Sequence, residues 1–331
     1  MSPLYQIAKK HIYYDQMNRE AKKSSLKKCA DIAIFAFNRP IHLAACLESL
    51  KSNEMFEISR IWIFIDGPRT KLDQKSIDLC FEIACKLESE NYNIEIVKAA
   101  KNLGLSKSII DGINLVFKNS NKVIVIEDDL EVSPFFLDFC NAGLTKYEFD
   151  QRVASIHGFS YGFKKPEKQP YFLRGADCWG WATWKDRWQL LEEDSNKLIT
   201  QISARRLKRK FDLDGVYPYF NMLRRQAQGE VNSWAIRWHA SMFLANKLTL
   251  YSDQTLVINN GIDGSGTHAA QSKSFNSPFT NRAINFEGVE VEESKKAKRK
   301  LKRFLKKHYS IRYRYSPIRI VSGIKRRTMN Y

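Results

Sequence analysis

Val123-Ile-Val-Ile-Glu-Asp-Asp-Leu-Glu-Val-Ser-Pro-Phe-Phe-Leu, residues 123–137, is the stretch whose reading decides the fold. Four apolar residues, all β-branched, end abruptly in Glu127, Asp128 and Asp129. Ser133 then offers a helix N-cap and Pro134 a first helical position. The stretch reads as a buried strand that delivers three carboxylates to its C-terminal tip, followed by a short helix. Three adjacent acids repel one another, and a cation is the natural way to hold them together. A solvated acidic turn is the competing reading, and the rest of the chain has to separate the two.

Working outward, Asp31-Ile-Ala-Ile-Phe-Ala-Phe is a first buried strand, broken by Asn38-Arg39-Pro40 and followed by Leu43, Cys46, Leu47 and Leu50 at helical spacing. Ile61-Trp-Ile-Phe-Ile is a second strand, ending in Asp66-Gly67-Pro68, with a helix over roughly 73–89. Asn93-Ile-Glu-Ile-Val is a third, with a turn at Asn102-Leu-Gly-Leu-Ser and a helix over 106–118. Strands alternating with helices imply a parallel sheet wound with right-handed crossovers. In such sheets ligands bind at the carboxyl ends of the strands, near the point where the strand order reverses. Asn38 and Arg39, Asp66, Asn102 and Gly104, and Glu127–Asp129 therefore share one rim. That convergence favours a site over a solvated turn.

The 331 residues allow one large or two medium domains. No apolar run approaches the ~18–20 residues that span a bilayer, and the N-terminus lacks the apolar core of a secretory signal. The six cysteines form no CxxC pair or Cys/His cluster, which points to reduced thiols and a cytoplasmic protein. The net charge of +18 resembles that of a nucleic-acid binder until it is located. Residues 1–28 carry seven Lys/Arg against two acids, and residues 291–331 carry fifteen against two; the body between holds 32 of each sign. Charge confined to the ends argues against a basic groove across the fold and for tails that meet an anionic surface. In Glu292 to Lys307, Ala297, Leu301, Phe304 and Leu305 share one face and Lys or Arg fill nearly all the rest, the pattern of a basic helix lying on an anionic membrane. An ordinary surface helix and a nucleic-acid arm are the alternatives.

The second half is aromatic. Arg174-Gly-Ala-Asp-Cys-Trp-Gly-Trp-Ala-Thr-Trp-Lys-Asp-Arg-Trp places tryptophans at 179, 181, 184 and 188. Trp181, Trp184 and Trp188 follow helical spacing, which suits core packing as well as a binding face. Trp179, beside Asp177 and two glycines, is a candidate platform for the apolar face of a sugar. Residues 191–215 read as a charged helical excursion, Glu230 opens a helix running to about Leu244, and Leu256-Val-Ile-Asn-Asn is a late strand. Gly261-Ile-Asp-Gly-Ser-Gly-Thr-His is a flexible loop carrying His268.

Phe37-Asn38-Arg39-Pro40, Asp66-Gly67, Asn102-Leu-Gly104 and Glu127-Asp128-Asp129-Leu-Glu-Val-Ser-Pro-Phe-Phe, in that order, resemble the GT-A glycosyltransferases. The likeness is to the N-acetylglucosaminyltransferase I type and to bacterial sugar transferases of surface-polysaccharide gene clusters, over roughly residues 30–270. It implies an α/β fold: a Rossmann-like, mostly parallel sheet flanked by helices, with a basic C-terminal helix. Residues 29–150 would form the nucleotide-sugar half, residues 151–290 the acceptor and catalytic half of the same domain, and residues 1–28 and 291–331 a basic leader and a membrane-associating tail. It also implies a nucleotide-sugar donor, UDP-linked, and Mn²⁺ or Mg²⁺. By that resemblance Asp129 ligates the metal, Asp128 approaches the ribose and Glu127 the donor sugar. Asp66 and Phe37, Asn38 and Arg39 contact the nucleoside, and Asn102, Gly104 and Lys107 belong to the donor side. His268 is a further metal ligand or phosphate contact.

Inverting transfer in the eukaryotic relatives needs a carboxylate base. This chain departs from their acidic Trp-Asp-Asp-Trp segment, because Asn232-Ser-Trp-Ala-Ile-Arg-Trp238 has no carboxylate. Asp177 is therefore expected to be the base ahead of Glu230, with Trp179 and Trp181 on the acceptor. The expected function is metal-dependent sugar transfer to a glycan or lipid-linked acceptor in bacterial surface-polysaccharide assembly, at the inner face of the membrane and without nucleic acid. A Mg²⁺-dependent nucleotidyltransferase or phosphohydrolase, and a non-catalytic nucleic-acid-binding protein, are the rival readings.

Overall fold

The computed structural model describes residues 29–90, 92–261 and 280–314, with side chains through Lys307. The leader 1–28, the loop with His268, and the end of the tail lie outside the described residues. The strands are β1 (Asp31–Ala36), β2 (Ile61–Ile65), β3 (Ile94–Lys98), β4 (Lys122–Glu127), β5 (Leu130–Val132), β6 (Val153–His157), β7 (Tyr171–Arg174), β8 (Trp181–Trp184), β9 (Leu248–Tyr251) and β10 (Val257–Asn259). The helices are α1 (Pro40–Lys51), α2 (Gln74–Ser89), α3 (Leu105–Val116), α4 (Phe136–Lys146), α5 (Lys185–Trp188), α6 (Ser195–Ala204), α7 (Lys208–Phe211), α8 (Tyr219–Ala227), α9 (Trp234–Leu244) and α10 (Lys295–Arg314). Among them, no helix is long and apolar enough to cross a membrane.

Eight strands form one sheet in the order β3-β2-β1-β4-β8-β6-β9-β7. β3, β2, β1 and β4 run parallel, β8 is antiparallel to both β4 and β6, β9 is parallel to β6, and β7 is antiparallel to β9. The fold is the expected α/β class, with a mostly parallel sheet between helices. β1 and β2 are continuous apolar runs because both faces are covered. Leu43 of α1, Ile77 of α2 and Leu137 and Phe139 of α4 pack into the core on one face. Ile109 and Ile113 of α3 and Trp238 of α9 pack into the core on the other. The chain leaves β1 toward β2 on one side and reaches β4 on the other, so the order reverses between β1 and β4. In sheets of this kind ligands bind at that point, outside the carboxyl ends of the strands.

Several local expectations change. The tryptophans at 181 and 184 lie on a strand, and only 185–188 is helical. The acidic tip is followed first by β5, which pairs antiparallel with β10, and α4 starts only at Phe136. Ser133 does not cap that helix. Its hydroxyl donates to the Thr280 carbonyl at 2.8 Å and accepts from the Phe135 amide at 3.3 Å. The 191–215 excursion is broken into α6 and α7. In α10 the apolar residues Ala297, Leu301, Phe304 and Leu305 are buried against Tyr171, Leu173 and Tyr251 of the sheet edge. The apolar face of this helix is thus spent on the protein, and its basic face is what is left to meet an anionic surface.

Candidate functional site

Residues 37–39 follow β1, and Asp128 and Asp129 follow the neighbouring β4. The parallel register thus brings the Arg39 guanidinium over both carboxylates. One of its amino groups hydrogen-bonds Asp128 Oδ1, and Nη1 reaches Asp129 Oδ2 at 3.0 Å. Asp128 is buried and also accepts from the Phe37 amide at 3.3 Å. Burial pushes its carboxyl up to about 6, with Arg39 pulling the other way and Asp129 adding to the push. Burial, followed by the charges of Asp129 and Asp128, raises the Glu127 carboxyl. The cation between Asp128 and Asp129 is the chain's own Arg39, which the resemblance had assigned to the nucleoside.

Asp129 is the most accessible of the paired acids, with its side chain 14% exposed. Its Oδ1 accepts no hydrogen bond among the described residues. The backbone closes over it: the Asn260 amide donates to the Asp129 carbonyl at 2.8 Å. A Cβ on Gly261 would stand 2.0 Å from Asp129 Oδ2, so this close approach requires glycine.

Asp66, at the end of β2, is used differently. Its Oδ1 accepts from the Gly67 and Leu103 amides, both at 2.8 Å, and its Oδ2 from Gly104 N at 2.9 Å and Asn102 Nδ2 at 3.0 Å. Two donors on each oxygen use about all the lone-pair capacity of a carboxylate. Asp66 and Asn102 thus latch the loop after β3, where Gly104 takes φ +77°, to the end of β2. Asn38 is committed to Asp73 at 2.8 Å, and the Arg69 guanidinium lies 4.6 Å from the Phe37 ring centre. Lys107 is 61% exposed and paired with Asp111 at 2.7 Å.

Across the rim, Asp177 stands in the loop between β7 and β8. Tyr161 donates to its Oδ2 at 2.6 Å and Tyr251 to the same oxygen at 3.2 Å. Burial, reinforced by Asp177, raises both phenols well above their ordinary range, so they remain donors. Asp177 Oδ1 accepts nothing among the described residues. The imidazoles of His157 and His239 are lowered by burial, His157 to about 4, and both face the Asp177 charge. The Cys178 thiol feels the charge of both acidic groups. Burial raises it first, then the charges of Asp177, Glu127 and Asp129.

Trp179 is partly buried, its amide donating to His157 Nε2 at 3.1 Å and its ring edge-on to Phe159 at 4.8 Å. Trp181 is fully buried, with ring centres 5.4–5.8 Å from Trp234, Trp238 and Trp188. It cannot touch an acceptor, so that expectation is corrected to core packing. Glu230 lies in solvent and pairs with Arg225 at 2.9 Å. His268 lies outside the described residues. Tyr161, Tyr251, His157 and His239 escaped the sequence reading because four separate segments supply them.

No three His, Cys, Asp or Glu side chains cluster as a cation cage among the described residues. Mg²⁺-type binding does not need one, since one or two carboxylates plus substrate phosphates suffice. The open Asp129 oxygen fits a dication held mainly by a diphosphate.

No family model matches the chain, and no curated protein does. Solved structures do show likenesses. One is a mannosyltransferase from Pyrobaculum calidifontis in complex with GDP-Man and Mn²⁺, with 12% identity over 46% of this chain and 45% of that one and a TM-score of 0.27. Another is TarS residues 1–349 of S. aureus, with 10% identity over 70% and 60% and a TM-score of 0.40. A third is the galactosyltransferase LgtC with donor and acceptor sugar analogues, with 12% identity over 53% and 65% and a TM-score of 0.31. The chain spans less than two thirds of the length of each. The functional reading therefore rests on this chain's own residues.

Proposed function

We propose that the protein is a glycosyltransferase that moves a sugar from a nucleotide-sugar, UDP-linked by the motif resemblance, to an acceptor hydroxyl. One observation carries the reading. Two carboxylates on one rim, Asp129 at the topological switch point and Asp177 by the ends of β6 and β9, are each held through Oδ2 and accept nothing at Oδ1 among the described residues. Asp129 sits beside a permanent cation, which suits a diphosphate. Asp177 sits among neutral phenols, which suits a hydroxyl.

In this mechanism Asp177 Oδ1 takes the proton of the acceptor hydroxyl. The freed oxygen bonds to the anomeric carbon as the bond from that carbon to the diphosphate oxygen breaks. The nucleoside diphosphate leaves with the electron pair, and Arg39 offsets the charge that grows on it. Attack opposite the leaving group inverts the anomeric centre. Asp129 would hold a Mn²⁺ or Mg²⁺ ion, which would further neutralise the leaving group. The basic C-terminal segment supports work close to an anionic membrane, on a glycan or lipid-linked acceptor of a bacterial surface polysaccharide.

Calorimetric titration of UDP- and GDP-sugars into the protein, with and without Mn²⁺, tests the reading. A saturable nucleotide-sugar complex that Asp129→Ala weakens at least about tenfold supports it. No complex in any condition, or release of pyrophosphate from a nucleoside triphosphate, rejects it.

A further inference from the structure

The two faces of α10 have different fates. Its apolar face is docked on the sheet edge. On its cationic face, Lys296 and Lys300 pair with Glu167 at 2.9 and 2.7 Å, and Lys300 Nζ also donates to the Lys165 carbonyl at 2.6 Å. These bonds pin the 162–167 loop to the helix, and the two enclose a cavity of about 620 Å³. Phe163 and Phe304, with ring centres 6.4 Å apart, form its floor. Lys164, Lys165, Lys300, Arg303 and Lys307 line the rest, and no carboxylate lines it.

Lys300 is answered by Glu167, whereas Lys164, Lys165 and Arg303 meet no carboxylate among the described residues, and cations crowded at one opening repel one another. An anion relieves that repulsion. Phosphate by itself would leave the two rings idle, whereas a phosphate ester on a hydrocarbon chain uses both parts of the lining. The volume is of the size that holds a small organic ligand. The position adds a second argument. Tyr161, whose hydroxyl holds Asp177 at 2.6 Å, has its ring centre 5.7 Å from Phe304 and 6.2 Å from Phe163. One aromatic ring separates the pocket floor from the carboxylate assigned to the acceptor hydroxyl.

We infer that the pocket between the 162–167 loop and α10 binds the phosphate or diphosphate group of an apolar-chain ester, and that this is the anionic end of the acceptor. The second half of that statement rests on the glycosyltransferase reading; the binding itself does not. The acceptor is thus gripped at its phosphate by α10 while its sugar hydroxyl meets Asp177.

Farnesyl diphosphate is a soluble probe, titrated into the full chain by tryptophan fluorescence at low and moderate salt, with inorganic diphosphate in parallel. Saturable, salt-sensitive binding is expected, about tenfold or more tighter than for inorganic diphosphate. Arg303→Glu and Lys164→Glu, both on exposed side chains, should each weaken it about tenfold, and Arg303→Lys should restore most of it. Asp129→Ala should leave it unchanged. No saturable binding, equal affinity for inorganic diphosphate, or affinity unchanged from that of the unaltered protein in both charge-reversed variants would overturn the inference. Melting curves of the variants check the fold. Because no donor sugar is present, failure here leaves sugar transfer untouched. Loss of nucleotide-sugar binding with intact farnesyl diphosphate affinity would sink only the proposed activity.

Discussion

At one end of the sheet β3, β2, β1 and β4 run parallel, and their acids are held by backbone amides and one guanidinium. At the other end β8, β6, β9 and β7 mix directions, and one acid, Asp177, is held by two phenols from separate segments. The first arrangement fixes charge by main-chain geometry, which a strand-and-turn sequence specifies locally. The second fixes it by aromatic packing, which only the assembled fold creates. In the proposed activity, ligand charge belongs to the first end and proton transfer to the second.

Asp177→Asn breaks the comparison hardest. Turnover with a nucleotide-sugar and an acceptor should fall by about 10²–10⁴, with donor affinity preserved, because the amide keeps the Tyr161 and Tyr251 contacts but takes no proton. Single-turnover kinetics beside donor titration measure it. A fall in donor affinity with unchanged turnover would move Asp177 to the donor end.

The same contrast explains what could be read in advance. Ile61–Ile65 and Val123–Ile126 announce themselves because strands buried on both faces become unbroken apolar runs, and their polar tips mark the rim. Trp181-Ala-Thr-Trp184 is also fully buried, yet its rings at i and i+3 imitate a helix. Only the pairing with β4 and β6 shows that it is a strand. Arg39 was legible as a rim residue but not as the clamp on Asp128 and Asp129, because sequence spacing does not show which charge a guanidinium meets. The apolar stripe of α10 was legible, but its partner, the β7 edge, was not.

The tryptophans sharpen the division. Trp181→Ala, which empties a fully buried site among three indoles, should cost roughly 3–5 kcal/mol in a urea titration. Trp179→Ala should cost far less and should raise the acceptor KM. Similar stability losses for the two would show that Trp179 is core as well.

Asp66→Ala strands four donors that now share one buried carboxylate, and should cost about 3 kcal/mol. Asp129→Ala loses one guanidinium contact and should change stability little while weakening nucleotide-sugar binding. If Asp66→Ala is stable but loses nucleotide, Asp66 belongs to the ligand rather than to the latch.

The buried His157 adds a pH dependence at the mixed end. Its folded value of about 4 lies below the ordinary 6.5, so the unfolded chain takes the proton first, and stability falls as pH drops from 6.5 toward 4. Burial sets the shift and the Asp177 charge partly opposes it. Between pH 7 and 5 the loss should be about 2 kcal/mol, and His157→Gln should remove that part of the slope. An unchanged slope would assign the effect to other groups, His239 first, since its burial acts in the same direction.

Glu230 gives the smallest expected effect and the cleanest way to reverse the roles. Its carboxylate is 52% exposed and ion-paired with Arg225, next to the start of α9. An exposed pair of this kind contributes little to stability. A solvated carboxylate held by a neighbouring cation also lacks the environment that sharpens a base. Glu230→Gln should therefore leave kcat within about twofold and the melting temperature unchanged, and its pH profile should overlay that of the unaltered protein. A fall in kcat of about tenfold or more in Glu230→Gln, with Asp177→Asn still active, would hand the proton transfer to Glu230. The phenol-held Asp177 would then be a support for the aromatic cluster, and the mixed end of the sheet would lose its catalytic role.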